Sequence, residues 1–128
     1  MKFMIAVVAG LLATSGAQAA SRTPQERLDK ALEGRVAGEP VDCIFLHSIQ
    51  SSEIIDGKAI LYTIGRTVYV NAPTSGANFL DRGDILVTDT HSPQLCSIDS
   101  VRLVDSGTHM PSGSVGLGKF VPYTRPAG

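Results

Sequence analysis

Residues 59–71, AILYTIGRTVYVN, decide the fold class of this chain. Two runs rich in β-branched and aromatic residues flank Gly65-Arg66, and a two-residue connection that contains glycine is typical of a tight β-hairpin. In the second run Val68 and Val70 alternate with polar and aromatic positions, which is the period of a half-buried strand. The segment therefore predicts two antiparallel strands joined at that turn.

Turn formers separate this hairpin from further strand signals along the chain. Five or six short strands at this spacing predict a mainly β fold, a small antiparallel barrel or sandwich. The predicted strands cover residues 43–46, 59–64, 67–71, 85–90, 98–104 and 118–121. The apolar positions predicted to fill the core are Ile44, Leu46, Ile60, Val68, Val70, Leu86, Ile98, Val101 and Leu103.

One helix is predicted ahead of the strands, over about residues 24–33. Thr23 suits the N-cap, Pro24 suits the first helical position, and Glu26 completes a capping box. The helix and the strands together predict a single β-rich domain over residues 20–128.

The first 19 residues have the features of an export signal. Lys2 is followed by an apolar run over residues 3–13 and by Ala-Gln-Ala at 17–19, the order of a secretory signal peptide cleaved before Ala20. The run is shorter than the roughly 20 apolar residues that cross a bilayer, so we expect no integral membrane span after cleavage. The sequence thus predicts a periplasmic or secreted protein.

The charge of the chain is close to balanced. It has 11 basic and 12 acidic residues, for a net charge of -1 with neutral histidines. Lys2 is the only charged residue among residues 1–19. Removing that segment leaves 10 basic and 12 acidic residues, for a net charge of -2. Nucleic-acid binding normally needs a dense basic surface, so we expect no nucleic-acid partner.

Cys43 and Cys96 are the only two cysteines. In an oxidising compartment such a pair predicts a disulfide, and two buried free thiols are the alternative. Because 53 residues separate them, the bridge would constrain the unfolded chain by about 4 kcal/mol in the chain-entropy model. It would fasten the start of the first predicted strand to the residues just before the fifth.

Four short segments carry a resemblance, namely DCI at 42–44, SEIID at 52–56, YVN at 69–71 and QLCSID at 94–99, with Val101-Arg102 and Asp105 after them. In order and spacing, residues 41–105 resemble an uncharacterised family of small exported proteins from Gram-negative bacteria. The resemblance implies a periplasmic or secreted protein with paired cysteines. The family carries no assigned activity to transfer, and the glycine-rich tail at 113–128 lies outside the resemblance.

The three histidines are the residues most suited to bind a metal ion. His47, His91 and His109 are scattered, and none has the spacing of a helical metal pair. Asp89, His91 and His109 are the candidates for a weak copper or zinc site, and three loop histidines without a metal are the favoured interpretation.

Two further patterns resemble parts of binding sites. Gly113, Gly118 and Lys119 fit half of a phosphate-binding loop, but Phe120 stands where Ser or Thr should hold magnesium. Tyr62 and Tyr69 are predicted to face each other across the hairpin, as a sheet pair or, if exposed, as a binding surface.

No catalytic or cofactor-binding residue is predicted, because the chain lacks a nucleophile elbow or any comparable signature. We therefore expect an exported, disulfide-stapled binding or structural module with an envelope protein as a candidate partner and no cofactor. The alternative is a small metal-dependent or hydrolytic enzyme that uses Asp89, His91 and His109.

Overall fold

Ten strands and one helix make up the structure, a computed structural model that describes residues 22–127. The mainly β, antiparallel fold with one N-terminal helix is confirmed, whereas the predicted signal peptide lies outside the described residues. The helix is α1, Pro24–Ala31. The strands are β1 Val36–Ala37, β2 Cys43–Phe45, β3 Ser51–Ile55, β4 Ala59–Ile64, β5 Thr67–Asn71, β6 Asp84–Thr88, β7 Gln94–Cys96, β8 Ser100–Asp105, β9 Pro111–Gly116 and β10 Phe120–Thr124.

The helix begins as its sequence predicts. Thr23 is the N-cap, and its Oγ1 accepts a hydrogen bond from the Glu26 amide at 3.2 Å. A threonine at this position satisfies one of the amides that the first helical turn leaves without a partner. The helix ends two residues earlier than expected, and Gly34 adopts a φ of +75° beyond it.

The largest sheet has five strands in the order β1-β10-β5-β4-β3. The β4–β5 hairpin has the predicted bounds, and Gly65 has a φ of +59° at the first position of its turn, as a type II′ turn requires. The other two sheets are the pair β2-β7 and the three-stranded sheet β6-β8-β9.

Both faces of the five-stranded sheet are covered. On one face, Ile55, Leu61 and Val68 are buried against Leu28 and Leu32 of α1 or its C-cap. The other face contributes to the main core, which the two smaller sheets complete. That core consists of Ile44, Ile54, Ile60, Tyr62, Leu80, Leu95, Val101, Leu103, Val115, Leu117 and Phe120.

Most predicted core residues are buried or half-buried, but Ile98 is 92% exposed and its assignment was wrong. It lies in a turn between β7 and β8, where the Asp99 amide donates to Cys96 O at 2.9 Å. Asp99 Oδ2 also accepts from the Cys96 amide at 2.7 Å. Because this turn ends at Asp99, β8 starts at Ser100 and Ile98 points into solvent.

The last predicted strand ends at residue 121, yet β10 continues through Pro122 to Thr124. Phe120 exchanges backbone hydrogen bonds with Val41, and Pro122 O accepts from the Gly38 amide at 2.7 Å. Even-numbered residues of β10 therefore direct their backbone groups away from β5. The missing N–H of proline does not interrupt the ladder to β5. β9 and β10 also give the glycine-rich tail regular structure up to Thr124.

The disulfide joins neighbouring strands. β2 pairs directly with β7, so Cys43 is opposite Cys96, and the two are bonded. The sequence had placed Cys96 before a strand and not in one, because Gln94–Cys96 is too short to show a periodic pattern. Among residues 22–127, no helix has the length and apolar character needed to cross a membrane.

Candidate binding groove between two sheet edges

The candidate metal residues Asp89, His91 and His109 do not come together. Asp89 follows β6 and its carboxylate accepts from Arg102 Nη2 at 2.6 Å, while His91 is exposed in the loop beyond. His109 lies past the other end of β8, because β6 and β8 pair from Asp84 to Thr88 against Asp105 to Val101. The described residues 22–127 contain no group of three or more His, Cys, Asp or Glu residues that could hold a metal ion.

His109 belongs to a turn that Asp105 organises. Asp105 Oδ1 accepts from the amides of Thr108 and Gly107, both at 2.8 Å. These hydrogen bonds to Thr108 and then Gly107 are the main causes that hold the pKa of Asp105 below its ordinary value. His109 itself has a φ of +60°. The positions of Asp105 and His109 are therefore accounted for by the hydrogen bonds and backbone geometry of this turn.

Tyr62 and Tyr69 occupy paired positions on β4 and β5. Tyr62 is only 3% exposed, and its ring lies 5.9 Å from the ring of Phe120, so this tyrosine belongs to the core. Its hydroxyl is buried without a hydrogen-bond partner. The pair therefore does not form an exposed aromatic surface.

A groove lies instead between β3 and β6, the adjacent edges of two different sheets. β3 pairs only with β4, and β6 pairs only with β8, within the described part of the chain. The space between them is about 510 Å³, which falls in the range of ligand-binding clefts. Its lining consists of Arg27, Ser52, Glu53, Ile54, Arg82, Asp84, Ile85 and Leu86.

The two edges are tied together at one end of the groove. The Gly57 amide donates to Leu80 O at 3.0 Å, and the Arg82 amide donates to Asp56 Oδ1 at 2.6 Å. These bonds join the turn after β3 to the turn before β6. Away from these bonds, β3 and β6 belong to separate sheets. The two edges are therefore held together by hydrogen bonds at this end of the groove.

The β3 edge directs backbone groups into the groove. Ile54 O accepts from Arg27 Nη2 at 3.2 Å, on the side away from β4. Since backbone groups alternate along an antiparallel strand, the N–H and C=O of Ser52 point in the same direction as those of Ile54. Ser52 therefore presents one donor and one acceptor at the edge.

The β6 edge has the same property. The Ser106 amide donates to Gly83 O at 3.3 Å, which fixes the alternation between β6 and β8. Leu86 and Thr88 then direct their backbone groups away from β8. An extended segment in the groove would meet such groups on both sides.

Arg27 of α1 closes the groove on the helix side. Its side chain is 15% exposed and its Nη2 also contacts Glu53 Oε1 at 3.2 Å. Nη1 lies 3.6 Å from Asp56 Oδ2 and has no hydrogen-bond partner. Arg27 thus links the helix to the β3 edge through ion pairs with Glu53 and Asp56.

Basic residues concentrate where the groove meets α1. A neighbouring hollow of about 350 Å³ shares Arg27, Glu53 and Arg82 with the groove and adds Arg22 and Lys30. Within residues 22–127, neither Arg22 nor Arg82 has an ion pair. Arg22 and Arg82 therefore lack an internal counter-charge at this end within the described chain, while Glu53 and Asp84 balance in number the two arginines of the groove lining itself.

Sequence reasoning missed the groove because it missed β3. The segment SSEII has buried residues only at its last two positions, so it shows no alternation. Asp56-Gly57, followed by the apolar run of β4, was the available signal, since Asp-Gly between apolar runs is typical of a hairpin turn. Gly57 indeed has a φ of +68° there.

The geometry of this groove and the disulfide are the observations from which a function has to be inferred. Comparisons with known proteins find no family model that matches the chain, no similar curated protein and no similar solved structure.

Proposed function

We propose that this protein is an exported, disulfide-stapled binding module that takes an extended acidic segment of an envelope protein between β3 and β6. The observation that carries the proposal is the pair of neighbouring sheet edges, β3 and β6, each without a second strand partner among the described residues. An added strand satisfies such edges through main-chain hydrogen bonds, which is the physics of β-augmentation.

Charge complementarity selects the kind of segment. Arg22 and Arg82 have no ion pair in the described chain, and they lie at the end of the groove that Arg27 closes. An acidic side chain or a terminal carboxylate at one end of the bound segment would supply the missing acceptors. Main-chain hydrogen bonds would supply the affinity. The ion pairs at one end would fix the direction in which the segment binds along the groove.

Export belongs to the same proposal. The Cys43–Cys96 disulfide supports an oxidising compartment, and the sequence of residues 1–19 supports delivery there. The resemblance to small exported bacterial proteins agrees with both. The enzyme alternative loses support, since Asp89 and His109 lie past opposite ends of the β6–β8 pair.

Selection of peptides on the mature protein tests the binding function. Phage-displayed linear ten-residue peptides are selected on residues 20–128, and the enriched peptides are synthesised and titrated by NMR. We expect acidic peptides whose binding shifts the amide signals of Ser52, Ile54 and Leu86. Failure to enrich any peptide, or shifts confined to other strands, contradicts the proposal.

Two matched pairs of variants sharpen the test. Ser52→Pro removes the N–H that faces the groove, and it should weaken peptide binding by about tenfold or more, whereas Ser52→Ala keeps the N–H and should bind almost normally. Arg82→Glu should weaken binding of the acidic peptides, and Lys119→Glu, the same charge change outside the groove lining, should not. Equal behaviour within either pair would count against the groove.

A further inference from the structure

A second basic cleft lies at one end of the five-stranded sheet, away from the groove. It has a volume of about 580 Å³ and forms where the residues after α1, the β4–β5 turn and the residues after β10 meet. It is lined by Arg35, Gly65, Arg66, Thr124, Arg125, Pro126 and Ala127. Three of these residues are arginines and none is acidic.

Arg35 is held in place by the backbone around it. Its Nη1 donates to Arg66 O at 2.8 Å and to Tyr123 O at 3.3 Å. Its Nε is buried and has no hydrogen-bond partner. The guanidinium is thus fixed through Nη1, and Nη2 makes no hydrogen bond within the described chain.

Arg125 lies next to the glycine that follows the helix. A Cβ added at Gly34 would lie 3.3 Å from Arg125 Nη1. Gly34 therefore leaves room for the Arg125 side chain beside the end of α1, in addition to adopting a φ of +75°. Arg66 occupies the second position of the β4–β5 turn and is exposed. The three arginines belong to three separate segments that line one cleft.

The cleft has no internal counter-charge among residues 22–127. The ion pairs of the described chain involve Arg27, Lys30, Arg102 and Lys119, and none of the three cleft arginines. Like charges at close range repel each other, and a buried N–H without an acceptor costs free energy. The whole chain is slightly acidic, so this arrangement is a local concentration of positive charge and not a general property.

From these contacts we infer that Arg35, Arg66 and Arg125 form a binding site for a phosphate monoester group. A doubly charged tetrahedral oxyanion offers enough acceptors for several arginines, and arginine is the residue best suited to bind it with paired hydrogen bonds. A volume of about 580 Å³ also has room for the organic group that carries the phosphate. The site is independent of the β3–β6 groove.

Titration of the mature protein with inorganic phosphate and with glycerol 3-phosphate, followed by NMR, tests the inference. We expect shifts at Arg66 and Arg125, and binding weakened about tenfold by Arg66→Gln or Arg125→Gln. Lys58→Gln removes one positive charge at an exposed position outside both this cleft and the groove, and should change binding less than about twofold. Both cleft variants alter exposed side chains, so they should fold normally.

Vesicles distinguish the two sources of the group. Flotation with phosphatidylcholine vesicles that contain phosphatidic acid, compared with vesicles of phosphatidylcholine alone, tests a lipid phosphate. Binding to these vesicles without binding to glycerol 3-phosphate assigns the site to lipid, and the reverse assigns it to a soluble ester. Binding to neither, or equal loss in Lys58→Gln and Arg66→Gln, overturns the inference.

Discussion

Asn71 and Gly118 are joined by two reciprocal hydrogen bonds inside the core. Asn71 Nδ2 donates to Gly118 O at 2.7 Å, and the Gly118 amide donates to Asn71 Oδ1 at 2.9 Å. Asn71 is fully buried at the end of β5, so this pair fixes the connection between β9 and β10 against the five-stranded sheet. The amide of Gly118 is therefore used inside the fold, which explains the Gly118-Lys119 near-motif without a phosphate.

Truncating Asn71 should destabilise the protein strongly. Asn71→Ala leaves the N–H and C=O of Gly118 buried without partners, at a cost of about 2 to 4 kcal/mol in the free energy of unfolding. Asn78→Ala makes the same chemical change at an exposed position and should cost less than about 0.5 kcal/mol. Urea denaturation of both variants measures the difference, and similar midpoints would show that the amide pair is unimportant.

The disulfide should contribute a large share of the stability. It closes a separation of 53 residues, which corresponds to about 4 kcal/mol of lost chain entropy in the unfolded state. We expect Cys43→Ser/Cys96→Ser to lower the free energy of unfolding by that order. Thiol titration of the denatured, unreduced protein should find no reactive thiol. A loss below about 1 kcal/mol would mean that native-state strain offsets the constraint.

Leu103 and Ile98 are close in sequence but differ in burial, so their truncation should change the free energy of unfolding by very different amounts. Leu103 is fully buried, so Leu103→Ala should cost about 2 to 5 kcal/mol. Ile98 is 92% exposed, and Ile98→Ala should change the free energy of unfolding by less than about 0.5 kcal/mol. Thermal and urea unfolding of the two variants check this. A large effect at Ile98 would indicate that its turn is packed in solution.

The central hairpin could be predicted because local signals agree there. Its two strands are apolar or alternating, and Gly65 supplies the positive φ that its turn requires. Ile98 shows the limit of this reasoning, since apolar character alone does not reveal that Asp99 hydrogen-bonds to the Cys96 amide and turns the chain. A contact of this kind depends on side-chain geometry that a periodic pattern does not contain.

Neither candidate binding site could be read from sequence, for a different reason. The groove depends on how β3 and β6 lie next to each other across separate sheets. The arginine cleft gathers Arg35, Arg66 and Arg125 from positions up to 90 residues apart, the difference between 125 and 35. Spacing along the chain carries no information about such convergence when no known motif fixes the topology. Asp89 and His109 show the converse, because the sequence offered them as parts of one site and the structure separates them.

Cleavage and export remain predictions about residues outside the structure. Expression of the full chain in a Gram-negative host, followed by fractionation and mass spectrometry, should place it in the periplasm or medium with Ala20 as its first residue. Replacing Leu11 and Leu12 by Asp interrupts the apolar run and should retain the uncleaved chain in the cytoplasm, with reduced cysteines. A chain that stays full-length and cytoplasmic without this change would contradict the predicted signal peptide.

Tyr62 should make the protein sensitive to alkali. Burial raises the pKa of its phenol well above the ordinary value, and the hydroxyl has no hydrogen-bond partner. An unfolded tyrosine loses its proton near pH 10. Below about pH 10 Tyr62 is protonated in both the folded and the unfolded state, so its ionisation does not reduce the free energy of unfolding. Above it the unfolded state holds fewer protons than the folded state, and stability falls as pH rises further.

Tyr62→Phe removes this linkage together with an unpaired buried hydroxyl. We therefore expect the variant to be at least as stable as the parent at pH 8 and to lose less stability between pH 9 and about 11. Tyr69→Phe, at the paired position on β5, is the control, because it leaves the buried hydroxyl of Tyr62 in place. Urea unfolding across this pH range gives the slopes. Parallel loss of stability in Tyr62→Phe and the parent would contradict the assignment of the alkaline sensitivity to the buried phenol.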